Sequence, residues 1–509
     1  MWYDMKNATL TILIFLGLFT AGCIGPEDDT GMGPLEGVHE PGTELVEPEL
    51  KEVGSASNAI DFSSLDKTIL EELNETNTPG CAVAIVSGDE VVYARGFGLA
   101  NVETGLAVTP KTLFLIGSTT KPFTAYTVLS MAEEGMLDIN DPVGNYIKGL
   151  SPRLSNITAA QLLSHTAGLK DPYPFSETGK WDVESGLEDY VKVMNDTLFF
   201  SEPGEIFSYS NGGYSLAGYT AQTLGGKPYP ETVEERVLKP LGMNSTTFYL
   251  EMAVTYPMSL GYIGDESGNV TVMRPFEEYV FMWPAGFLFS NVLDMAKFAE
   301  ALMNNGSLDD KQVLSPQIIN EMFTPHADLL SVYPDASYGY GTMMYNYRGM
   351  DVVEHGGNHE SFTCVFKMVP EHKFALIILN NGDQRYMANT TKKAFELMLP
   401  LEPEVRPEPL EMNGSEMGMY VGNYSQYSQY PELVLGIIMR DGKLLSVDPD
   451  VLSVEPGGHE YPMEKLSDDQ FIIIEPGSPE PEYVKFVRSD DGMIKYLHRG
   501  CRAFPKIAS

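Results

Sequence analysis

The chain has 509 residues, enough on length alone for roughly two or three domains, and 43% of them are hydrophobic, enough for a large core. It carries 71 acidic against 33 basic residues, a formal net charge of −38. Such a surface repels phosphate backbones and anionic lipid heads, so nucleic acid is excluded as a partner.

The first stretch reads as an address. Lys6 precedes an apolar run from Ala8 to Phe19, too short to span a bilayer and suited to a signal-peptide core. Thr20-Ala21-Gly22 lead into Cys23. Small residues directly before a cysteine resemble a lipoprotein signal, in which Cys23 is lipidated and becomes the new N-terminus. Residues 1–23 therefore predict export and a lipid anchor on the extracytoplasmic face of the cell membrane. Secretion after ordinary cleavage is the alternative, and Met5 competes with Met1 as the start. Residues 24–57 are rich in Gly, Pro and Glu with almost no aromatics, and predict a flexible tether. Sequons such as Asn74, Asn156, Asn244, Asn389 and Asn423 fit a surface outside the cytoplasm. Cys81, Cys364 and Cys501 are too few and too scattered for a disulfide framework. Free thiols are expected, with a Cys81–Cys364 bridge as the alternative.

Residues 61–75 predict a helix. The runs from Cys81 to Val86 and Val91 to Gly98 flank Ser87-Gly88-Asp89-Glu90, a hairpin signal. Leu115-Ile116-Gly117-Ser118-Thr119-Thr120-Lys121 then enters a helix-like run that closes at Gly135. Ser118 falls in its first turn, and Lys121 lies one turn on, on the same face. A hydroxyl becomes a good nucleophile when a neighbouring base can take its proton, and the positive end of the helix favours negative charge there. The spacing alone is weak evidence, because Ser64-Leu65-Asp66-Lys67 satisfies it in an acidic stretch with nothing catalytic around it.

From Ser118 to about Thr342 the chain reads as helical and loop-rich. His165, in Leu163-Ser164-His165-Thr166-Ala167-Gly168-Leu169, is expected to organise its loop rather than act as a base. Tyr209-Ser210-Asn211 lies in a loop before a helix. A tyrosine there can share a proton with the serine and lysine, and Asn211 can bond a substrate amide or the lysine. The blander alternative is a turn tyrosine with a helix-capping asparagine. Strands return with Asp351 to Glu354, Phe362 to Val369 and Phe374 to Leu379, then a helix over 386–399. After the first of these, His355-Gly356-Gly357-Asn358 offers glycines that let a substrate approach the backbone. An N–H there could pair with that of Ser118 as an oxyanion donor. His355-x-x-x-His359-Glu360 has a zinc-like spacing, but Gly356-Gly357 opposes the helix it needs, so neither metal nor cofactor is expected.

Strands at both ends of residues 58–400, with helices between, predict an α+β domain: an antiparallel sheet flanked by helices with an inserted helical region. Residues 401–411 are a stiff Pro/Glu linker. Residues 412–509 predict a small all-β barrel, with strands at Tyr420 to Tyr424, Leu433 to Met439, Lys443 to Val447, Gln470 to Ile474, Tyr483 to Val487 and Ile494 to His498.

Ser118-x-x-Lys121, Tyr209-x-Asn211 and His355-Gly356-Gly357, in that order, resemble the serine β-lactamase and penicillin-binding-protein superfamily. More closely, they resemble its class C-like branch of D,D-carboxypeptidases, D-aminopeptidases and β-lactamase-like esterases. The resemblance spans about residues 60 to 400 and includes Pro240-Leu241-Gly242-Met243 and Pro284-Ala285-Gly286-Phe287 with Asp294 and Phe298. The C-terminal segment is similar to lipocalin-like barrels appended to some members. The resemblance implies Ser118 as acylated nucleophile, Lys121 as its base partner and Tyr209 as proton carrier. It further implies Asn211 as a substrate-amide contact, Gly357 in the substrate-binding edge and Asn358 as second oxyanion donor. His355 stands where many members have the lysine of Lys-Thr-Gly. A group mostly neutral at pH 7 replaces a fixed positive charge, which favours a small peptide or ester substrate over a β-lactam. The alternative is a catalytically silent binding module on the same fold. Loops near 170–200 and 250–285, with Tyr173, Phe175, Trp181, Tyr279 and Trp283, are expected to shape the pocket. The barrel could cap the site, mediate a homo-oligomer or do neither.

Overall fold

Cys81-Ala82-Val83-Ala84-Ile85-Val86 is apolar at every position, so neither face can be left to water. In the computed structural model it forms the middle of a ten-stranded sheet. The structure describes residues 60–171, 185–264, 269–276, 278–359, 361–383, 385–405, 408–426, 433–448, 459–474 and 482–507. The sheet strands are β1 (Gly80–Ser87), β2 (Glu90–Asn101), β3 (Leu106–Ala107), β4 (Ala327–Asp328), β5 (Ser337–Tyr338), β6 (Met343–Tyr347), β7 (Met350–Glu354), β8 (Gly357–His359), β9 (Phe362–Val369) and β10 (Phe374–Asn380). They run β4-β5-β6-β7-β9-β10-β1-β2-β3, with β8 alongside β9, and every pairing is antiparallel. β1 and β10 bring the two ends of the region together, Cys81 opposite Asn380 and Ser87 opposite Phe374.

Side chains alternate across β1 and divide the core in two. Ala82, Ala84 and Val86 face a large cluster that includes Phe123, Leu216 and Phe298. Those residues come from three helices, α2 (Lys121–Glu133), α3 (Asn211–Gly225) and α4 (Val292–Met303). Cys81, Val83 and Ile85 face the opposite cluster. That cluster is covered by α1 (Ser63–Glu75) through Leu65, Ile69 and Leu73, and by α5 (Ala388–Met398) through Ala394 and Phe395. The one-turn spacing on α1 makes a single apolar stripe, each residue of which contributes about 1.5–3 kcal/mol on burial. Glu72 is buried on the same helix because it caps another: its carboxylate accepts the N–H groups of Asn389 and Thr390 at 2.9 and 2.8 Å. Helix α2 is buried continuously from Lys121 to Met131, so it runs through the core rather than over it.

The C-terminal barrel is closed and antiparallel. Its strands are β11 (Gly422–Gln426), β12 (Leu433–Arg440), β13 (Lys443–Asp448), β14 (His459–Ser467), β15 (Gln470–Ile473), β16 (Glu482–Arg488), β17 (Ile494–Arg499) and β18 (Arg502–Ile507). β18 pairs back to β11, Asn423 opposite Ile507, and this removes the free edge. Tyr424, Leu435, Leu444, Phe471, Phe486 and Phe504 fill the interior. Three details differ from the sequence expectation. Tyr420 ends a short helix, Gly414–Tyr420, and strand begins only at Gly422. β14 and β18 are additional strands, and β4 to β6 extend the main sheet beyond the strands expected. Cys81, Cys364 and Cys501 are free thiols. Among the described residues no helix is long and apolar enough to cross a membrane. Cys23 and the tether lie outside the described residues.

Candidate active site

Ser118 sits in a single turn of 3-10 helix, Gly117–Thr120, that runs directly into α2. Thr120 ties the turn by donating to the Gly117 carbonyl at 2.7 Å. Lys121 is the first residue of α2 and is fully buried. Its Nζ lies 3.1 Å from Ser118 Oγ, 2.8 Å from Asn211 Oδ1 and 2.6 Å from the Ala285 carbonyl. Burial pulls this lysine well below the ordinary value; Asp171 opposes the shift and Arg502 adds to it. A neutral amine has two N–H donors and one lone pair. With Asn211 and Ala285 taking two N–H groups, the third position on Nζ faces Ser118 Oγ, where an ammonium donates and a neutral amine would offer its lone pair.

Tyr209 and Asn211 arrive from the loop before α3. Ser210, not Asn211, is the helix cap: its side chain accepts from Gly213 N. Asn211 is thereby free to turn its amide into the site, donating from Nδ2 to Asp171 Oδ2 at 2.9 Å while its Oδ1 faces Lys121. The Tyr209 ring packs against the lysine, with Nζ 4.7 Å from its centroid. The Tyr209 hydroxyl is buried with no partner in bonding geometry. Burial pushes its phenol well above the ordinary value, and the neighbouring Ser118 hydroxyl is the first influence against that. His165 holds this loop in place. Its Nδ1 accepts from Ser210 N at 3.0 Å, and its ring lies 4.2 Å from that of Tyr209.

His355 is buried at the end of β7. Its Nδ1 lies 2.7 Å from the Gly356 carbonyl and its Nε2 3.0 Å from the Tyr338 hydroxyl. This pattern assigns the proton to Nδ1, with Tyr338 donating to Nε2. Burial, then Lys121, lowers its pKa to about 3, so it is neutral. The following residues form β8, which lies against the Ser118 turn. A Cβ on Gly357 would stand 1.9 Å from the Ile116 carbonyl oxygen, and one on Gly117, where φ is +53°, would stand 2.7 Å from Asn358 N. The two backbones therefore touch, and the Asn358 backbone stands beside the turn that carries Ser118.

A cavity of about 410 Å³ opens at Ser118, Tyr209 and His355. Tyr333, Tyr345 and Tyr347 form one wall, and Gly500, Cys501 and Arg502 from the barrel form another. Trp283 is a core residue packed edge-on to Tyr249, and Tyr279 packs near His359; neither lines this cavity. Tyr173, Phe175 and Trp181 lie outside the described residues. The structure thus gathers Ser118, Lys121, Tyr209, Asn211, His355, Gly357 and Asn358. It adds Asp171, Tyr338 and Arg502, which sequence reasoning missed, and gives Ala285, quoted there only within its motif, a contact with Lys121. Asp171 follows Gly168-Leu169 closely and was within reach of that motif; Arg502 carries no local signal. Among the described residues no cluster of His, Cys, Asp or Glu could hold a metal ion.

A model of the beta-lactamase family matches residues 65–397. The chain belongs to the beta-lactamase family. Protein flp of Staphylococcus aureus strain N315 is 25% identical over 329 residues, 64% of this chain and 64% of that protein. The chain thus spans under two thirds of that relative's length. The Unguisins hydrolase ungD' of Aspergillus campestris is 29% identical over 417 residues, 72% of this chain and 75% of that one. Among solved structures, the octameric penicillin-binding protein homologue from Pyrococcus abyssi aligns at 25% identity with a TM-score of 0.61, covering 87% of this chain and 99% of that one. SurE aligns at 22% identity and a TM-score of 0.69, covering 87% and 98%, a likeness of fold. Beta-lactamase-family proteins are usually hydrolytic, and this fold is one with hydrolase-named relatives.

Proposed function

We propose that this protein is a serine acyl-hydrolase of the beta-lactamase family, exported and lipid-anchored through Cys23, that cleaves small peptide amides or esters. The observation that carries the reading is the fully buried Lys121, 3.1 Å from Ser118 Oγ, with its other two positions taken by Asn211 and Ala285. Ser118 Oγ attacks the substrate carbonyl carbon as its proton passes to Lys121. The N–H groups of Ser118 and Asn358 hold the oxyanion, each donor contributing a few kcal/mol. Collapse of the tetrahedral intermediate expels the amine or alcohol, which takes a proton from Tyr209. Tyr209 recovers it through Lys121, and water then attacks the acyl-enzyme by the reverse route. Neutral His355 offers no cation where many members carry a lysine, which favours peptide or ester over β-lactam, and the cavity sets Tyr333, Tyr345 and Tyr347 beside the charged Glu354, Lys367, Lys392 and Arg502.

D- and L-aminoacyl p-nitroanilides and short-chain p-nitrophenyl esters, assayed with wild type and Ser118→Ala, test the reading. We expect turnover of at least one series, falling by about 10³-fold or more in the variant. No turnover of any, or equal turnover in Ser118→Ala, would refute it. The anchor is tested by fractionation: Cys23→Ser should move the protein from the membrane to the soluble fraction, and a protein that is soluble without the change is not anchored.

A further inference from the structure

We propose that Arg502, delivered by the C-terminal barrel, is a positioning residue of the active site: by holding Asp171 it keeps Asn211 and Lys121 in the arrangement in which the lysine can act as base. This rests on the acyl-transfer reading given above. It makes the barrel part of the catalytic machinery rather than an appendage.

The contacts form an unbroken chain. Arg502 Nη1 and Nη2 donate to Asp171 Oδ2 at 3.3 and 3.2 Å. Asp171 accepts from Asn211 Nδ2 and from Gly212 N, each at 2.9 Å. Asn211 Oδ1 then takes an N–H of Lys121, which faces Ser118. Asp171, Asn211, Lys121 and Arg502 are all buried. The same hairpin tip grips Tyr209 by its backbone. The Cys501 carbonyl accepts Tyr209 N–H at 2.9 Å, and Arg502 Nη1 donates to the Tyr209 carbonyl at 3.2 Å. The hairpin is itself fixed by His498, which bonds Ser331 Oγ at 2.9 Å and the Phe207 carbonyl at 3.1 Å.

Among the described residues, the titratable and charged groups facing Lys121 are Asp171, Arg502, His165, His355, His359, Tyr209 and Tyr214. Burial holds the three histidines neutral and both phenols protonated. Asp171 and Arg502 are left as opposing charges. A buried carboxylate beside an amine favours the ammonium, which cannot take the Ser118 proton. Arg502 occupies that carboxylate and adds a repelling charge of its own. Without Arg502, Lys121 becomes the nearest cation for a desolvated Asp171, so its affinity for a proton rises.

The test uses the full chain and the pH profile of kcat/KM for p-nitrophenyl acetate, from about pH 5 to 10. Its acid limb reports protonation of the base. In Arg502→Gln the limb should move up by about one pH unit, a loss of roughly tenfold on the acid side, while the alkaline plateau is largely retained. Arg502→Lys should restore the limb, and Arg502→Gln combined with Asp171→Asn should return it to or below the wild-type position. Should Arg502→Gln not fold, Asp171→Asn alone decides: with the carboxylate gone, the limb must move to lower pH. A limb that stays put, or a loss equal at every pH, overturns the proposal and marks a merely structural ion pair. Fluorophosphonate labelling of wild type separates the levels. No label on Ser118 overturns the catalytic reading as well; a labelled Ser118 with immobile limbs overturns only the role of Arg502.

Discussion

The same four-residue pattern occurs twice in this chain, and surroundings make the difference. On α1, Lys67 is exposed to solvent near Ser64 and pairs with Glu71 at 3.6 Å. On α2, Lys121 is fully buried, and the oxygens that accept from it, Asn211 Oδ1 and the Ala285 carbonyl, carry no formal charge. Tyr209 allows a separate test of proton delivery. Its hydroxyl lies beside that of Ser118 and is otherwise unpaired among the described residues, so Tyr209→Phe removes at most one weak hydrogen bond and should change stability by about 1 kcal/mol or less. A nitrophenolate leaves without a proton, whereas an anilide needs one. We therefore expect turnover of an aminoacyl p-nitroanilide to fall by about 10²–10⁴-fold, and that of a p-nitrophenyl ester far less. Equal losses on both, with an unchanged melting temperature, would remove Tyr209 from the leaving-group step.

At the scale of elements, what was legible in the sequence is what repeats locally. The unbroken apolar run of β1, its hairpin with β2 and the stripe at every fourth residue of α1 each bury themselves by their own period. The glycines of β8 were legible as a close approach, but what approaches is the Ser118 turn: the Cβ positions of Gly357 and Gly117 are already taken by backbone. The strands that escaped notice have physical reasons. β14 and β18 contain Pro462 and Pro505, each of which removes a ladder donor and reads as a break, although β14 keeps a period-two burial pattern from Tyr461 to Lys465. β4 and β5 are two residues long, below any periodic signal. The helix ending at Tyr420 is short and is capped by Asn413, a residue that reads equally well as a turn.

At the scale of the whole molecule, sheet, inserted helices and barrel were each legible because each has its own grammar. Their mutual placement was not. Arg502 and Asp171 are 331 residues apart and meet only because β17 and β18 dock against the loop that carries Tyr209. No spacing or period encodes such a contact. The docking combines polar links, through His498, Ser331 and an ion pair of Lys495 with Glu205, with a small apolar cluster of Ile206, Tyr496 and Ala503. The barrel thereby becomes a wall of the cavity at Ser118, and the proposed chemistry belongs to the assembled molecule. The most direct measurement of the central claim is the intact mass of the protein after exposure to a fluorophosphonate, followed by peptide mapping. One adduct is expected, on the peptide that carries Ser118, absent from Ser118→Ala and formed far more slowly in Lys121→Ala. No adduct at millimolar probe, or one that persists in Ser118→Ala, would contradict it.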